Sequence, residues 1–89
     1  DRILVGFSAE TDNLLKNASG KLISKNMDMI VANDVTMEGA GFGADTNVVK
    51  LIKRGGNIVD LPVMSKKDVA HRILDEILNI KNQNEIDRT

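Results

Sequence analysis

Apolar residues fall in short runs near the start of the chain and in a wider-spaced pattern elsewhere. "ILVGF" (3–7) is rich in β-formers, and its length predicts a buried strand. The period then changes. Leu14, Ala18 and Leu22 recur every fourth position with Leu15 beside them, which makes one apolar face of a helix over 11–25. Thr11 and Asp12 are candidate caps, and Asn26 is the expected stop. Gly20 weakens this helix by about 1 kcal/mol relative to Ala. "MIVA" (29–32) is a second short apolar run, closed by Asn33-Asp34, a pair that commonly begins a turn. Strand, helix and strand over 3–34 predict a parallel βαβ unit with a right-handed crossover.

A glycine-rich loop, "TMEGAGFGADTN" (36–47), follows. "VVKLIK" (48–53) and "IVDL" (58–61) flank Arg54-Gly55-Gly56-Asn57 and predict a β-hairpin. Pro62 breaks the pattern, and Ser65 with Asp68 resembles a capping box in its Asp form. Val69, Ile73, Leu74, Ile77 and Leu78 then mark an amphipathic helix over about 66–80, with a polar tail, 82–89, expected to fray. The fold class is therefore α/β: a Rossmann-like parallel βαβ unit, a hairpin and a C-terminal helix, forming part of a larger three-layer α/β domain. A strand that begins at residue 3 fits a piece of a longer chain.

Composition narrows the function classes. At 89 residues the chain is at most one small domain. Its net charge of −1 provides no global field for nucleic acid or an anionic membrane, so any anion site must be local. The absence of cysteine excludes disulfides and thiolate chemistry and suits an intracellular, cytoplasmic protein. His71 alone cannot make a histidine-based metal site, and sequence places no triad partner for it. No apolar stretch approaches the ~20 residues of a membrane span. The aromatic residues are Phe7 and Phe42, too few for a set of base-stacking platforms. Met27, Met29, Met37 and Met64 read as gap-filling residues of an aliphatic core.

Lys21 and Lys25 carry the candidate chemistry. One helical turn separates them, about 40° apart on the wheel, beside the stripe of Leu14, Ala18 and Leu22. Lys16 lies on the far side. The pair is expected to lay its apolar stems along the protein body and put its ammoniums at a groove rim, where they would suit a polyphosphate. Snorkelling lysines at an amphipathic boundary are the bland alternative. Phe7 is placed at the carboxyl end of the first strand, where a βαβ unit collects ligands, and would border a base or ribose if it is not simply core. Asn33 and Asp34 lie at the same edge and either begin a turn or face a ligand or subunit. "GAGFG" (39–43) is no phosphate loop: Gly39, Gly41 and Gly43 alternate, and the expected next element is a strand rather than a helix.

Three blocks, "VGFSAET" (5–11), "KLISKNMDMIVANDV" (21–35) and "GFGADTN" (41–47), in this order and spacing, resemble the bacterial phosphopantothenoylcysteine synthetase. This family is the CTP-dependent phosphopantothenate–cysteine ligase, usually fused behind a flavin-dependent decarboxylase. "LPVMSKKDVAHRILDEI" (61–77) resembles its closing segment. The resemblance implies that Phe7, Lys21 and Lys25 bind CTP, the lysines on the triphosphate and Phe7 near the nucleoside. It implies an acyl-cytidylate route from 4′-phosphopantothenate, CTP and cysteine, with Mg²⁺, in a homodimer with no nucleic-acid or membrane partner. FMN would belong only to a fused decarboxylase. The family's preceding half, with its glycine-rich first turn, acyl-cytidylate asparagine and lysine-bearing flap, has no counterpart here. Residues 1–81 thus match only the C-terminal portion of the ligase domain, a portion expected to be inactive alone.

Two functional classes follow. One is a segment of a coenzyme A biosynthesis ligase that carries part of a CTP site. The other is a non-catalytic α/β interaction or dimerisation module, whose hairpin edge and aliphatic helix dock a partner. A redox Rossmann domain is disfavoured by the missing glycine fingerprint.

Overall fold

The computed structural model describes residues 2–35 and 46–88. Strand β1 (Val5–Glu10) leads to helix α1 (Leu14–Ser24) and strand β2 (Met29–Asp34). Strands β3 (Thr46–Asn47), β4 (Val49–Lys53), β5 (Ile58–Asp60) and β6 (Met64–Ser65) precede helix α2 (Lys66–Arg88). The main sheet has the order β1-β2-β4-β5, while β3 and β6 form a separate antiparallel pair. β1 and β2 are parallel, from Val5 opposite Met29 to Glu10 opposite Asp34, as the βαβ pattern predicts. β4 runs antiparallel to β2, and β5 antiparallel to β4, so the sheet is mixed.

Side-chain alternation divides the core between two faces. On one face Ala18 and Leu22 of α1 cover Ile30, Ala32 and Ile52. On the other, Val69, Ile73, Ile77 and Ile80 of α2 cover Met29, Val31, Val49 and Leu51. Both faces of β2 are buried, which explains why it reads as a continuous apolar run rather than an alternating one. Met29, Ile30, Leu51 and Ile52 are fully buried, each worth about 1.5–3 kcal/mol of transfer free energy.

Several expected boundaries move. β1 continues through Ser8-Ala9-Glu10, because parallel pairing with β2 continues there. Phe7 is therefore mid-strand, opposite Val31, and not at a carboxyl end. Asn33 and Asp34 belong to β2, where Asn33 pairs with both Ala9 and Val49, and a turn follows directly at Val35. Thr11 and Asp12 do not cap α1. Asn13 occupies the cap in the left-handed region (φ 46°) without a side-chain cap bond. α2 continues to Arg88 rather than stopping near 80. Its polar end contains good helix formers, and Gln83 donates to Asp87 Oδ1 one turn on (3.0 Å). The capping residue Ser65 accepts the Asp68 N–H at 3.1 Å, as expected.

The stop at Asn26 holds and has a defined geometry. Asn26 adopts φ 54°, its N–H donates to Ile23 O (3.1 Å), and the Met27 N–H donates to Leu22 O (2.9 Å). This is a Schellman closure with asparagine in the position usually given to glycine. The hairpin turn uses Gly55 and Gly56 at φ 95° and 98°, where a side chain would be strained. Residues 36–45 of the glycine-rich loop, including Gly39, Gly41 and Gly43, lie outside the described residues.

Candidate nucleotide site

The first strand positions Glu10 at the carboxyl end of the parallel pair, on the α1 side of the sheet, where alternation also puts Gly6 and Ser8. Glu10 is only 6% exposed. Lys21 projects from the last turn of α1, and helical side chains lean towards the helix N-terminus. That lean carries its ammonium up to Glu10: Lys21 Nζ lies 2.8 Å from Glu10 Oε2. The Lys21 side chain remains 47% exposed, so the pair sits at a rim, with the carboxylate inside and the ammonium facing out. The hydrogen bond from Lys21 holds the Glu10 carboxyl below its ordinary value against the opposing effect of burial, with smaller help from Ser8 and Asn17.

Lys21 thus reaches the carboxyl end of β1 at the protein surface, and the two lysines are not equivalent. Lys25 stands at the C-cap of α1, next to the chain entering β2, and is exposed. It makes no ion pair among the described residues.

Phe7 lies on the opposite face. It is 71% exposed and borders an open recess of about 500 Å³ with Val31, Asn33, Val49, Lys66 and Val69, on the α2 side. Phe7 and the Lys21–Glu10 pair are therefore separated by the thickness of the sheet. β1 is the edge strand of the described sheet, so a ligand touching both would have to pass around that edge. Asn33 and Asp34 divide in the same way. Asn33 shares the Phe7 face, and Asp34 shares the Glu10 face.

His71 is exposed on α2 and takes no part in this region. Among the described residues, no three or more His, Cys, Asp or Glu side chains converge as a metal site. The described residues thus do not cage Mg²⁺ by themselves. A cation held chiefly by substrate phosphates and water would need no such cage.

Sequence reasoning missed Glu10, the partner that fixes Lys21. Its signal was the polar alternation of Gly6, Ser8 and Glu10, legible only if the strand is extended past its apolar run. It also missed the pair between Lys53 of β4 and Glu76 of α2, and the role of Arg54. From the hairpin turn, the Arg54 guanidinium donates to Asn26 O (2.9 Å) and Met27 O (3.1 Å).

The family model for the DNA/pantothenate metabolism flavoprotein C-terminal domain matches residues 1–80. The chain belongs to this family. Within it, the chain is 52% identical over 83 residues to the coenzyme A biosynthesis bifunctional protein CoaBC of Bacillus subtilis (strain 168), covering 93% of the chain and 20% of that protein. It is 43% identical over 75 residues to the protein of the same name from Escherichia coli (strain K12), covering 84% of the chain and 18% of that protein. A cysteine/cysteine sulfinic acid decarboxylase from an unknown prokaryotic organism is 44% identical over 80 residues, covering 90% of the chain and 22% of that protein. The crystal structure of the C-terminal domain of CoaBC superposes with a TM-score of 0.77 at 36% identity, covering 92% of the chain and 36% of that domain's chain. The chain spans about a fifth of the length of the curated relatives it matches. The resemblance carried by the three sequence blocks holds at the level of family, domain and fold. No helix among the described residues is long and apolar enough to cross a membrane.

Proposed function

We propose that this chain is the C-terminal portion of a CTP-dependent phosphopantothenate–cysteine ligase and contributes part of its CTP site. The observation that carries the reading is the Lys21 ammonium, held half-exposed at the carboxyl end of a parallel strand pair, in a chain of this family. Ligands of α/β sheets collect at that edge.

In this reading the carboxylate of 4′-phosphopantothenate attacks the α-phosphorus of CTP, and pyrophosphate leaves. The cysteine amine then attacks the acyl carbon of the acyl-cytidylate, and CMP leaves. Lys21 and Lys25 bind and partly neutralise the triphosphate, which favours the charge that develops on the leaving group. Phe7 borders the nucleoside by way of the β1 edge. Where Mg²⁺ accompanies the nucleotide, it adds further neutralisation there. A homodimer of the full-length protein belongs to the same proposal.

Titration of CTP and ATP, with Mg²⁺, into the full-length protein and its Lys21→Ala/Lys25→Ala variant tests the reading. The expected result is a CTP preference, and a loss of triphosphate affinity in the variant. Equal affinity in both proteins would remove the lysines from the site.

A further inference from the structure

The two lysines stand in different electrostatic settings, and the difference comes from one residue to which the function above assigns no role. Glu10 is a buried carboxylate at the sheet edge, its Oε2 2.8 Å from Lys21 Nζ. It faces Ser8 two residues earlier on the same side of the strand, Asp34 beside it in register, and Asn17 from α1. A buried carboxylate is costly unless paired, so Glu10 recruits the ammonium whether or not a nucleotide is present. Its charge also largely cancels that of Lys21 at a distance. Lys25, without an ion-pair partner among the described residues, keeps its full charge.

We propose that Glu10 is a positioning residue for the nucleotide site: it fixes the Lys21 ammonium at one place on the rim and leaves Lys25, which has no ion-pair partner among the described residues, to attract the polyphosphate. The inference rests on the CTP reading above. In it the lysines divide the labour. Lys25 supplies long-range attraction, and Lys21 supplies a set contact whose geometry matters when charge moves on the phosphates. A freely moving ammonium would bind a triphosphate well enough but would not be held where the leaving group needs it.

A charge-swap cycle in the full-length protein tests this, with CTP affinity and steady-state turnover as readouts. Lys21→Met uncovers the Glu10 carboxylate next to the phosphates and is expected to weaken CTP binding about 100-fold. Adding Glu10→Gln to that variant removes the repelling charge and should recover about tenfold. Glu10→Gln alone frees a fully charged Lys21, so KM for CTP should not rise, while kcat falls about tenfold. A purely structural Glu10 would give a double variant no tighter than Lys21→Met and would leave kcat of the folded enzyme unchanged. Either result overturns the inference while leaving the CTP reading in place. If Lys21→Met binds CTP like the unaltered protein, the CTP assignment of Lys21 fails, and this inference with it. Should Lys21→Met fail to fold, Glu10→Gln alone still decides, because an unchanged kcat contradicts a positioning role.

Discussion

Removing the Lys53 ammonium should loosen the packing of α2 on the sheet. Lys53 ends β4 and pairs with Glu76 of α2, and Glu76 is 8% exposed among Ile73, Ile77 and Ile80. The Lys53 side chain is 20% exposed, so the pair is mostly but not wholly withdrawn from water. Breaking a fully buried pair by deleting one partner costs ~3–5 kcal/mol, because a buried charge is left alone. Residual solvent access at Lys53 and the nearby Asn79 amide (3.5 Å from Glu76 Oε1) lower the expected cost here to about 2 kcal/mol. In hydrogen exchange on the full-length protein, Lys53→Met should then reduce protection of amides in Val49–Lys53 and in the first half of α2 about 30-fold. Replacing both partners, as Lys53→Met/Glu76→Leu, removes the stranded charge and adds apolar contact to that side of the core. Its protection should return to within about tenfold of the original. A change of less than threefold in Lys53→Met, or a double variant less protected than the single, would refute the claim that this pair is an enclosed one.

Other consequences are equally direct. A Cβ built on Gly6 would lie 2.3 Å from Met27 Sδ, with the next neighbour beyond Met27, Ile30 Cγ1, at 3.9 Å. Gly6→Ala should therefore destabilise by about 1–2 kcal/mol, and Met27→Ala should lessen that penalty in a double-mutant cycle of thermal melts. Asn26→Ala should cost about 1 kcal/mol because alanine resists φ 54°, whereas Asn26→Gly should be neutral or slightly stabilising; chemical denaturation distinguishes them. Glu10 and Glu76 both titrate below their ordinary value of 4.5, each chiefly through the hydrogen bond from its lysine. Their stabilisation is present above that ordinary value and is lost as pH falls through the lowered folded values, because the unfolded chain then binds more protons. Acid titration followed by circular dichroism should show Glu10→Gln/Lys21→Met losing less stability over that window than the unaltered protein.

Much of the architecture was legible because burial leaves a strong apolar signature. The continuous run at Met29–Ala32, the four-residue rhythm of Leu14, Ala18 and Leu22, and the Gly55-Gly56 turn all marked their elements. The ends were less legible for physical reasons. β1 extends into Ser8-Ala9-Glu10 because its neighbour continues, and pairing partners remote in sequence leave no local trace. The extension of α2 rests on polar helix formers with no apolar face to mark it. For the candidate site, the helical wheel placed Lys21 near the rim. It could not reveal that a buried acid from the preceding strand would hold that side chain, nor that Phe7 would face the other side. A shift of three residues in the strand end was enough to move Phe7 from rim to mid-strand.

The amino ends of β1, β2 and the βαβ connection meet the hairpin turn in a dense set of bonds. Arg54 reaches Asn26 and Met27 through its guanidinium, the Arg54 N–H donates to Asp28 O (2.9 Å), and the Leu4 N–H donates to Asp28 Oδ2 (2.8 Å). These bonds lie at the opposite end of the strands from Glu10 and Lys21. The molecule thus has a braced foundation and, away from it, a rim that is free to vary. Substitutions at the Glu10 and Lys21 edge leave untouched the joints that keep strand, helix and hairpin in register. Variants that probe the proposed nucleotide site are best confined to positions 10 and 21, since Lys25 adjoins Asn26 at the braced end with Arg54 and Asp28.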